Sequence, residues 1–188
     1  MSRIAYVTPD TAAPEIAEPL RRLPPLKVYG LMAASPGTFL PWTRLGNAMV
    51  HDLSISPMMR ELVILQVAAL VQQYEWDQHV PLARHFGVSE ERISALAAGD
   101  RQTAFSPTES AVLSFVVDLV RDGEVDDDDY ARLAAVLDDR QIVEIAVVAT
   151  QYLALGRVMT AVRIDADEPN GPAGLAANDS AIRPTTAR

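Results

Sequence analysis

The sequence of 188 residues contains no cysteine. Disulfide bonds, thiolate metal sites and thiol nucleophiles are therefore excluded from its structure and chemistry. Positive charge is also scarce, because 16 Lys and Arg residues face 25 Asp and Glu residues, for a formal net charge of −9. A nucleic acid or an anionic membrane needs a basic face on the protein that binds it, so this charge balance argues against both partners.

Targeting and membrane-spanning patterns are missing as well. Residues 1–19 lack a basic start followed by an apolar segment, so no signal peptide is expected. No apolar run reaches about 18 residues, the length that a transmembrane helix requires. These absences predict a soluble cytoplasmic protein.

Strand-like alternation of polar and apolar residues is also absent, whereas helical spacing recurs along the chain. We therefore predict an all-α fold of about eight helices. The Ser-Pro pairs at residues 35, 56 and 106 each mark a helix start, with serine as the cap and proline in the first helical position. A bend is expected at Gln72-Gln73.

The composition indicates one globular domain, since hydrophobic residues make up 49% of the chain and charged residues 22%. We place this domain at residues 14–165. Residues 1–13 are predicted to form a loose N-terminal arm. Residues 166–188 are rich in Gly, Pro, Asn, Ala and Thr, which predicts a flexible C-terminal tail.

An internal similarity links two apolar segments. Residues 60–69 read RELVILQVAA and residues 140–149 read RQIVEIAVVA. Two copies of a helical unit about a pseudo-twofold axis would explain the similarity. Gln141 stands where the first copy has Glu61, so only the first copy would carry acid–base chemistry.

Residues 59–84 hold the candidate chemistry. Glu61 precedes the run 62–71, which is apolar nearly all round and therefore predicts a buried helix. Glu75 and His79 follow at i,i+4 spacing, which places them on one face of a helix.

Each of these three residues has a functional and a structural interpretation. Partial burial would make Glu61 a usable general acid or base, whereas a carboxylate near a helix start is also favoured by the helix dipole. Glu75 could orient the imidazole of His79 and keep it basic, or the two could form an exposed pair that contributes a few tenths of a kcal/mol.

Aromatic residues near this stretch are candidates to line an apolar pocket. Tyr74 and Trp76 flank Glu75, and Trp42 lies on an earlier predicted helix, where core filling is the better interpretation. The remaining polar residues of interest are predicted at the surface: Asp77, Gln78, His51 and His85.

Cofactor and metal sites are not expected. No glycine-rich phosphate loop and no Ser/His/Asp nucleophile pattern is present. A metal site would need Glu75, His79 and His85. Since six residues separate the two histidines, they lie on different faces of a straight helix.

The run RELVILQVAAL, followed by YEWDQHVPLARHFGVSEERISAL, resembles the carboxymuconolactone decarboxylase family, which is related to the alkyl hydroperoxidase D fold. The flanking segments PPLKVYGLMAASPGTFLPW and DDRQIVEIAVVATQYLALGRVMTAV are similar to the family's preceding and closing helices, so the resemblance covers roughly residues 20–165. It implies an alkyl hydroperoxidase D-like helical bundle. It also implies a homo-oligomer (dimer, trimer or hexamer) with active sites near the subunit contacts.

The redox branch of that family carries a Cys-x-x-Cys-x-x-x-His motif with a glutamate one helix upstream. His79 matches the histidine, the two cysteine positions fall on Gln72 and Glu75, and Glu61 matches the upstream glutamate, with one residue fewer between it and the motif. Both thiols are absent, which excludes disulfide chemistry and thiol-based peroxide reduction. The chain thus resembles the cysteine-free, decarboxylase-like branch.

That branch implies a cofactor-independent lyase. A small unsaturated lactone or carboxylic acid loses carbon dioxide, the electrons are held as a dienolate, and a proton returns to carbon. The resemblance assigns the proton donor or oxyanion stabiliser to His79, its orientation to Glu75 and a proton relay to Glu61.

Substrate contacts are expected from four residues, Trp76, Tyr74, Gln72 and Trp42. The cations nearest the motif are Arg60 and Arg84, with Arg44 and Arg157 as further candidates in space. The same acid–base set could perform a dehydration, isomerisation or cyclisation on an intermediate of secondary metabolism. A non-catalytic binding or assembly role is the remaining alternative.

Overall fold

The structure is a computed structural model that describes residues 1–168. Within them the chain forms nine α-helices and no strand, which confirms the all-α fold. The helices are α1 (Pro14–Arg22), α2 (Lys27–Met32), α3 (Pro36–His51), α4 (Pro57–Val71), α5 (Gln73–His85), α6 (Glu90–Ala97), α7 (Pro107–Arg121), α8 (Asp127–Ala134) and α9 (Asp139–Val162).

The three Ser-Pro pairs begin helices as predicted, at the N-termini of α3, α4 and α7. Ser56 accepts a hydrogen bond from the Met59 backbone amide, and Ser106 forms a reciprocal capping box with Glu109. Ser35 differs, because its side chain makes no bond to a backbone amide of α3.

Helix α4 is the central element of the fold. All residues from 60 to 68 are buried, because α5, α6, α7 and α9 pack around the helix. It ends at Val71, and Gln72 adopts an extended conformation (φ −160°, ψ 115°) before α5 begins. The predicted bend is therefore confirmed, and it folds α5 back along α4.

Helix α9 bears on the expectation that the chain has no helix able to span a membrane. It is long and apolar enough, by length and composition alone, to cross a membrane, and it is the one such helix among residues 1–168. Its few charged residues lie near its ends or are paired. The helix is therefore apolar enough on average to cross a membrane, although it contains no uninterrupted apolar run of about 18 residues. One face of α9 packs on α4 and α7 as a core helix, and a third of its most apolar window is buried.

The N-terminal arm also differs from expectation. The Arg3 amide donates to the Val162 carbonyl at 2.7 Å, and the Val7 amide donates to the Gly30 carbonyl at 3.0 Å, so the arm is tied to α9 and α2. Gly30 permits this approach, since a Cβ there would meet the Val7 carbonyl at 2.7 Å. The predicted C-terminal tail lies outside the described residues from position 169 onward.

Candidate active site

A cavity of about 140 Å³ lies between α2, α3, α4, α5 and α9. Much of its wall is apolar, with side chains such as Met49 and Leu155. Glu61, Glu75 and His79 supply polar groups on the same wall. An apolar cavity with a few convergent polar groups is the usual form of a small-molecule site.

The two helices on either side of the Gln72 break bring the acid–base residues together. Glu61 lies in the second turn of α4, where burial leaves 1% of the side chain exposed. Glu75 and His79 lie one turn apart on the face of α5 that meets both α4 and the cavity. The long sequence gap between Glu61 and His79 is thus closed by the packing of α5 on α4.

His79 lies between two carboxylates. Its Nδ1 is 2.8 Å from Oε2 of Glu61, and its Nε2 is 3.4 Å from Oε2 of Glu75. A neutral imidazole carries one N–H, so both nitrogens donate only when the ring is the imidazolium. With both nitrogens directed at carboxylates, the ring offers no free metal ligand. Within residues 1–168 no group of three His, Asp or Glu side chains is arranged to hold a metal ion.

The surroundings of His79 favour its charged form. Burial by itself lowers the pKa of the imidazole, but the negative charge of Glu61 and hydrogen bonds to Glu61 and Glu75 outweigh it. Together they raise the pKa of His79 from 6.5 to about 9. The resting protein therefore holds an imidazolium at neutral pH, which is a proton donor.

Arg60 holds the other oxygen of Glu61. Its Nε and Nη2 donate to Oε1 of Glu61 at 3.1 and 3.0 Å, and its Nη1 donates to the Val50 carbonyl at 2.9 Å. The guanidinium also lies 5.3 Å from the centre of the Phe86 ring. Arg60 reaches the cavity wall, but it is committed to Glu61. It therefore positions Glu61 and is not a free counter-ion for a substrate.

The other predicted cations lie elsewhere. Arg84 pairs with Glu90 at the surface, where both side chains are exposed. Arg44 and Arg157 are exposed and do not line the cavity. Among the described residues that line the cavity, Arg60 is the only arginine or lysine.

The structure separates the four predicted substrate contacts into two pairs. Tyr74 and Trp42 line the cavity, whereas Trp76 and Gln72 lie in a shallow surface depression beside the end of α4. Trp76 is turned about 100° around α5 from its neighbour Glu75, and its ring packs beside the cluster that includes Leu62. The side chain of Gln72 accepts the amide of Tyr74, which caps α5, and donates to Oγ1 of Thr160 on α9 at 3.1 Å.

The sequence analysis missed several cavity residues, including Gln78 and Tyr152, and His51, which was predicted at the surface, also lines the cavity. Gln78 was expected at the surface, but it is buried and lines the cavity one turn from Tyr74. Tyr152 comes from α9, and its ring meets the His79 ring edge-on, with centroids 5.0 Å apart and planes at 88°. No local pattern marks Tyr152, since its position depends on how α9 packs against α4.

The segment after α9 contacts one end of the cavity wall through Asp167. Oδ2 of Asp167 accepts the hydroxyl of Tyr74 at 2.8 Å and the backbone amide of Lys27 at 2.6 Å. The Lys27 ammonium lies 2.9 Å from Oδ1 of the same carboxylate. Burial and then the hydrogen bond to Asp167 raise the pKa of Tyr74, so its hydroxyl stays protonated. Asp167 thus joins the start of α2 to the start of α5.

Comparison with known proteins gives a family and a fold. The model of the carboxymuconolactone decarboxylase family matches residues 36–118, a range that contains Glu61, Glu75 and His79. No curated protein matches the chain.

Solved structures agree on the fold. The alkylhydroperoxidase AhpD core of an uncharacterized peroxidase-related protein from Ralstonia eutropha is 17% identical, with a TM-score of 0.75 over 88% of this chain and 92% of that one. An uncharacterized peroxidase-related protein from Silicibacter sp. is 19% identical, with a TM-score of 0.67 over 75% of this chain and 76% of that one. A protein of unknown function from Agrobacterium tumefaciens, a putative antioxidant defence protein AhpD, is 23% identical, with a TM-score of 0.61 over 71% and 93%.

At these identities the structural matches establish the fold alone, and the name of each neighbour describes that neighbour. The family match and the AhpD-like fold agree with the resemblance found in the sequence. Residues 36–118 are therefore similar to the carboxymuconolactone decarboxylase family, and the chain has no cysteine.

Proposed function

We propose that the protein is a cofactor-independent lyase that decarboxylates a small unsaturated lactone or carboxylic acid by general acid–base catalysis. The observation that carries the proposal is His79, held between Glu61 and Glu75 in the wall of an apolar cavity. Thiol chemistry is not part of the proposal, because the chain has no cysteine.

The size of the cavity limits the substrate to about one ring. An apolar cavity of about 150 Å³ is known to accept benzene, and the cavity here is of similar size, about 140 Å³. A five- or six-membered lactone matches this volume, whereas a fused or long-chain substrate exceeds it.

The charges of the site limit the substrate further. Arg60, Glu61, His79 and Glu75 alternate in sign along a chain of contacts, and their charges cancel when His79 is the imidazolium. Among the described residues, no arginine or lysine other than Arg60 lines the cavity. We therefore propose a substrate with at most one carboxylate, the one that departs, rather than a dicarboxylate.

The proposed reaction begins with the substrate carboxylate in the apolar part of the cavity. The bond between ring carbon and carboxylate breaks, carbon dioxide leaves, and the electron pair stays in the ring as a dienolate. The N–H of His79 at Nε2, on the side of Glu75, then gives its proton to carbon. Solvent returns a proton to His79 and completes the cycle.

The two glutamates have different roles in this scheme. Glu61, fixed by Arg60, holds Nδ1 of His79 and so orients the ring and maintains its charge. Glu75 lies at Nε2 at the longer distance of 3.4 Å, where a bound substrate can compete for the proton. The sequence analysis assigned orientation to Glu75 and the relay to Glu61, and the geometry supports the reverse assignment.

Deuterium incorporation is the appropriate test, because it detects decarboxylation and also isomerisation or dehydration by the same residues. Purified protein is incubated in D₂O with a panel of one-ring unsaturated lactones that carry one carboxylate. Product and deuterium at ring carbon are read by NMR. We expect turnover by the wild type and a loss of about 100-fold or more in His79→Gln, in line with removal of a general acid. Turnover that is equal in the two proteins would overturn the proposal.

A matched control is His85→Gln, which changes a histidine on the same helix. His85 is exposed and does not line the cavity, so its replacement is expected to leave turnover unchanged. Absence of any turnover by the wild type across the panel would count against the lyase and in favour of a binding role.

A further inference from the structure

Tyr152 is a cavity residue that lies beside His79. Its ring lies edge-on to His79, and the residue lines the cavity from α9. Within residues 1–168 its hydroxyl makes no hydrogen bond, whereas the hydroxyl of Tyr74 is bound to Asp167 at 2.8 Å. Tyr152 is half-buried and its hydroxyl is not among the enclosed polar atoms that lack a partner, so the hydroxyl is accessible to a molecule bound in the cavity.

The surroundings of Tyr152 keep the hydroxyl protonated. Burial raises the pKa of Tyr152 well above 10, and the negative charges of Glu75 and Glu61 act in the same direction. At neutral pH the residue is therefore a phenol, which can donate a hydrogen bond but does not bring another negative charge into a site that already holds two carboxylates.

Three of the other side chains that line the cavity and could donate a hydrogen bond are committed to partners. Arg60 is bound to Glu61, and both nitrogens of His79 face carboxylates. Thr43 donates to the Leu40 carbonyl at 2.9 Å. A reaction that develops negative charge on oxygen needs a donor directed at that oxygen, and Tyr152 has one to give.

We propose that the hydroxyl of Tyr152 donates a hydrogen bond to an oxyanion that forms on the substrate, next to the carbon that His79 protonates. The inference rests on the proposed function and extends it to the substrate class, which is a small ring with an oxygen conjugated to the reacting carbon. The developing negative charge is delocalised onto that oxygen, and Tyr152 holds it while the proton is delivered. Tyr152 keeps its own proton throughout.

Phenolates provide a probe that needs no knowledge of the substrate, because they are planar and carry a delocalised oxyanion. The probe is 4-nitrophenolate, and nitrobenzene is its neutral counterpart without the oxyanion. Dissociation constants are measured by titration at pH 8, where 4-nitrophenol is ionised and His79 is still protonated. We expect the wild type to prefer the phenolate over nitrobenzene. Tyr152→Phe is expected to reduce this preference by about tenfold to a hundredfold, the range for a hydrogen bond to a charged group.

The matched control is Tyr130→Phe, the same chemical change at an exposed tyrosine of α8. Because Tyr130 does not line the cavity, loss of its hydroxyl is expected to leave the phenolate preference within about twofold. Tyr152→Phe keeps the ring that contacts His79, and nitrobenzene binding with unchanged affinity confirms that the cavity is intact. In the wild type, a nuclear Overhauser contact between bound phenolate and the Tyr152 ring is expected.

Three results would overturn the inference: no preference for phenolate in the wild type, the same preference in Tyr152→Phe, or no contact with the Tyr152 ring. These outcomes are separate from failure of the proposed function, which depends on turnover by His79→Gln. A phenolate preference that requires Tyr152, in a protein whose turnover does not require His79, would retain the oxyanion site and reject the acid–base mechanism.

Discussion

His79 concentrates the chemistry of this site because each of its ring nitrogens faces a carboxylate. One of those carboxylates is itself held by a buried guanidinium. Buried charges are tolerated when each has a partner, and this chain of alternating charges gives Arg60, Glu61 and His79 theirs. The same contacts that make burial tolerable keep the imidazole protonated, so stability and the proposed function depend on one arrangement.

This coupling predicts how stability depends on pH. The folded pKa of His79, about 9, lies above the unfolded value of 6.5, so its contacts stabilise the fold fully below pH 6.5. That stabilisation is lost as pH rises through about 9. We expect the free energy of unfolding in urea to fall between pH 6 and pH 9.5 by about 3 kcal/mol more in the wild type than in His79→Gln. Parallel pH profiles for the two proteins would contradict the assignment.

Sequence alone identified Glu61, Glu75 and His79 because each has a local signal: an acid before an apolar run, and an i,i+4 pair. It could not identify Tyr152, whose position beside His79 depends on the packing of α9 against α5. It also placed Gln78 at the surface. The difference is that side chains within one helix are positioned by its period, whereas neighbours across helices are set by packing.

At the scale of elements, the break at Gln72 and the close approach of α9 shape the site. A Cβ on Gly156 would lie 3.0 Å from Cγ2 of Val71 and 3.3 Å from Cβ of Gln72. Because glycine has a hydrogen atom in place of a side chain, α9 can pack closely against the junction of α4 and α5 at this position. That approach brings Tyr152, one helical turn earlier, to the cavity wall.

Gly156→Ala is therefore expected to destabilise the fold although alanine favours helices. The added methyl must displace Val71 or the junction, which costs about 1–3 kcal/mol and exceeds the gain in helix propensity of about 1 kcal/mol. Gly46→Ala is the matched control, since Gly46 lies within α3 and a Cβ there meets nothing within 4 Å. Urea unfolding should show Gly46→Ala to be neutral or stabilising. Equal effects of the two substitutions would show that the approach of α9 is not tight.

Some helix boundaries could be predicted from the sequence, whereas the direction in which a side chain faces could not. Ser-Pro pairs and the Gln72 bend have local chemistry, so the boundaries of α4 and α7 followed from the sequence. The position of Trp76 could not be predicted from the sequence. The rotation of α5 decides whether an aromatic residue next to Glu75 faces the core, the solvent or the cavity. The family resemblance supplied the fold and the role of the α4–α5 pair, which periodicity alone does not give.

At the scale of the whole molecule, the N-terminal arm is joined to the segment that follows α9. Asp165 accepts the Tyr6 hydroxyl at 3.1 Å, and the N-terminal ammonium lies 3.1 Å from the same carboxylate. Asp167 then connects Lys27 to Tyr74. A loose arm was predicted for residues 1–13, because contacts between segments far apart in the chain leave no local pattern in the sequence.

The outer face of α9 supports the expectation of a homo-oligomer. Val143, Val147 and Val158 follow one another along the helix and remain 60%, 36% and 43% exposed. We propose that a second copy of the chain covers this face. Val147→Glu is expected to lower the molar mass, measured by light scattering, to that of one chain of 20.4 kDa. Val136→Glu, at an exposed valine outside α9, is the control and should leave the mass unchanged. A wild type of one-chain mass would contradict the proposal.

The central claim is that His79 is an imidazolium held by Glu61 and Glu75, and nitrogen NMR of histidine-labelled protein tests it most directly. His79→Gln assigns the signal among the three histidines. We expect both ring nitrogens of His79 to be protonated at pH 7. Its pKa should be about 9 in the wild type and lower, toward 6.5, in Glu61→Gln. A neutral ring at pH 7, with a pKa at or below 6.5 in the wild type, would contradict it.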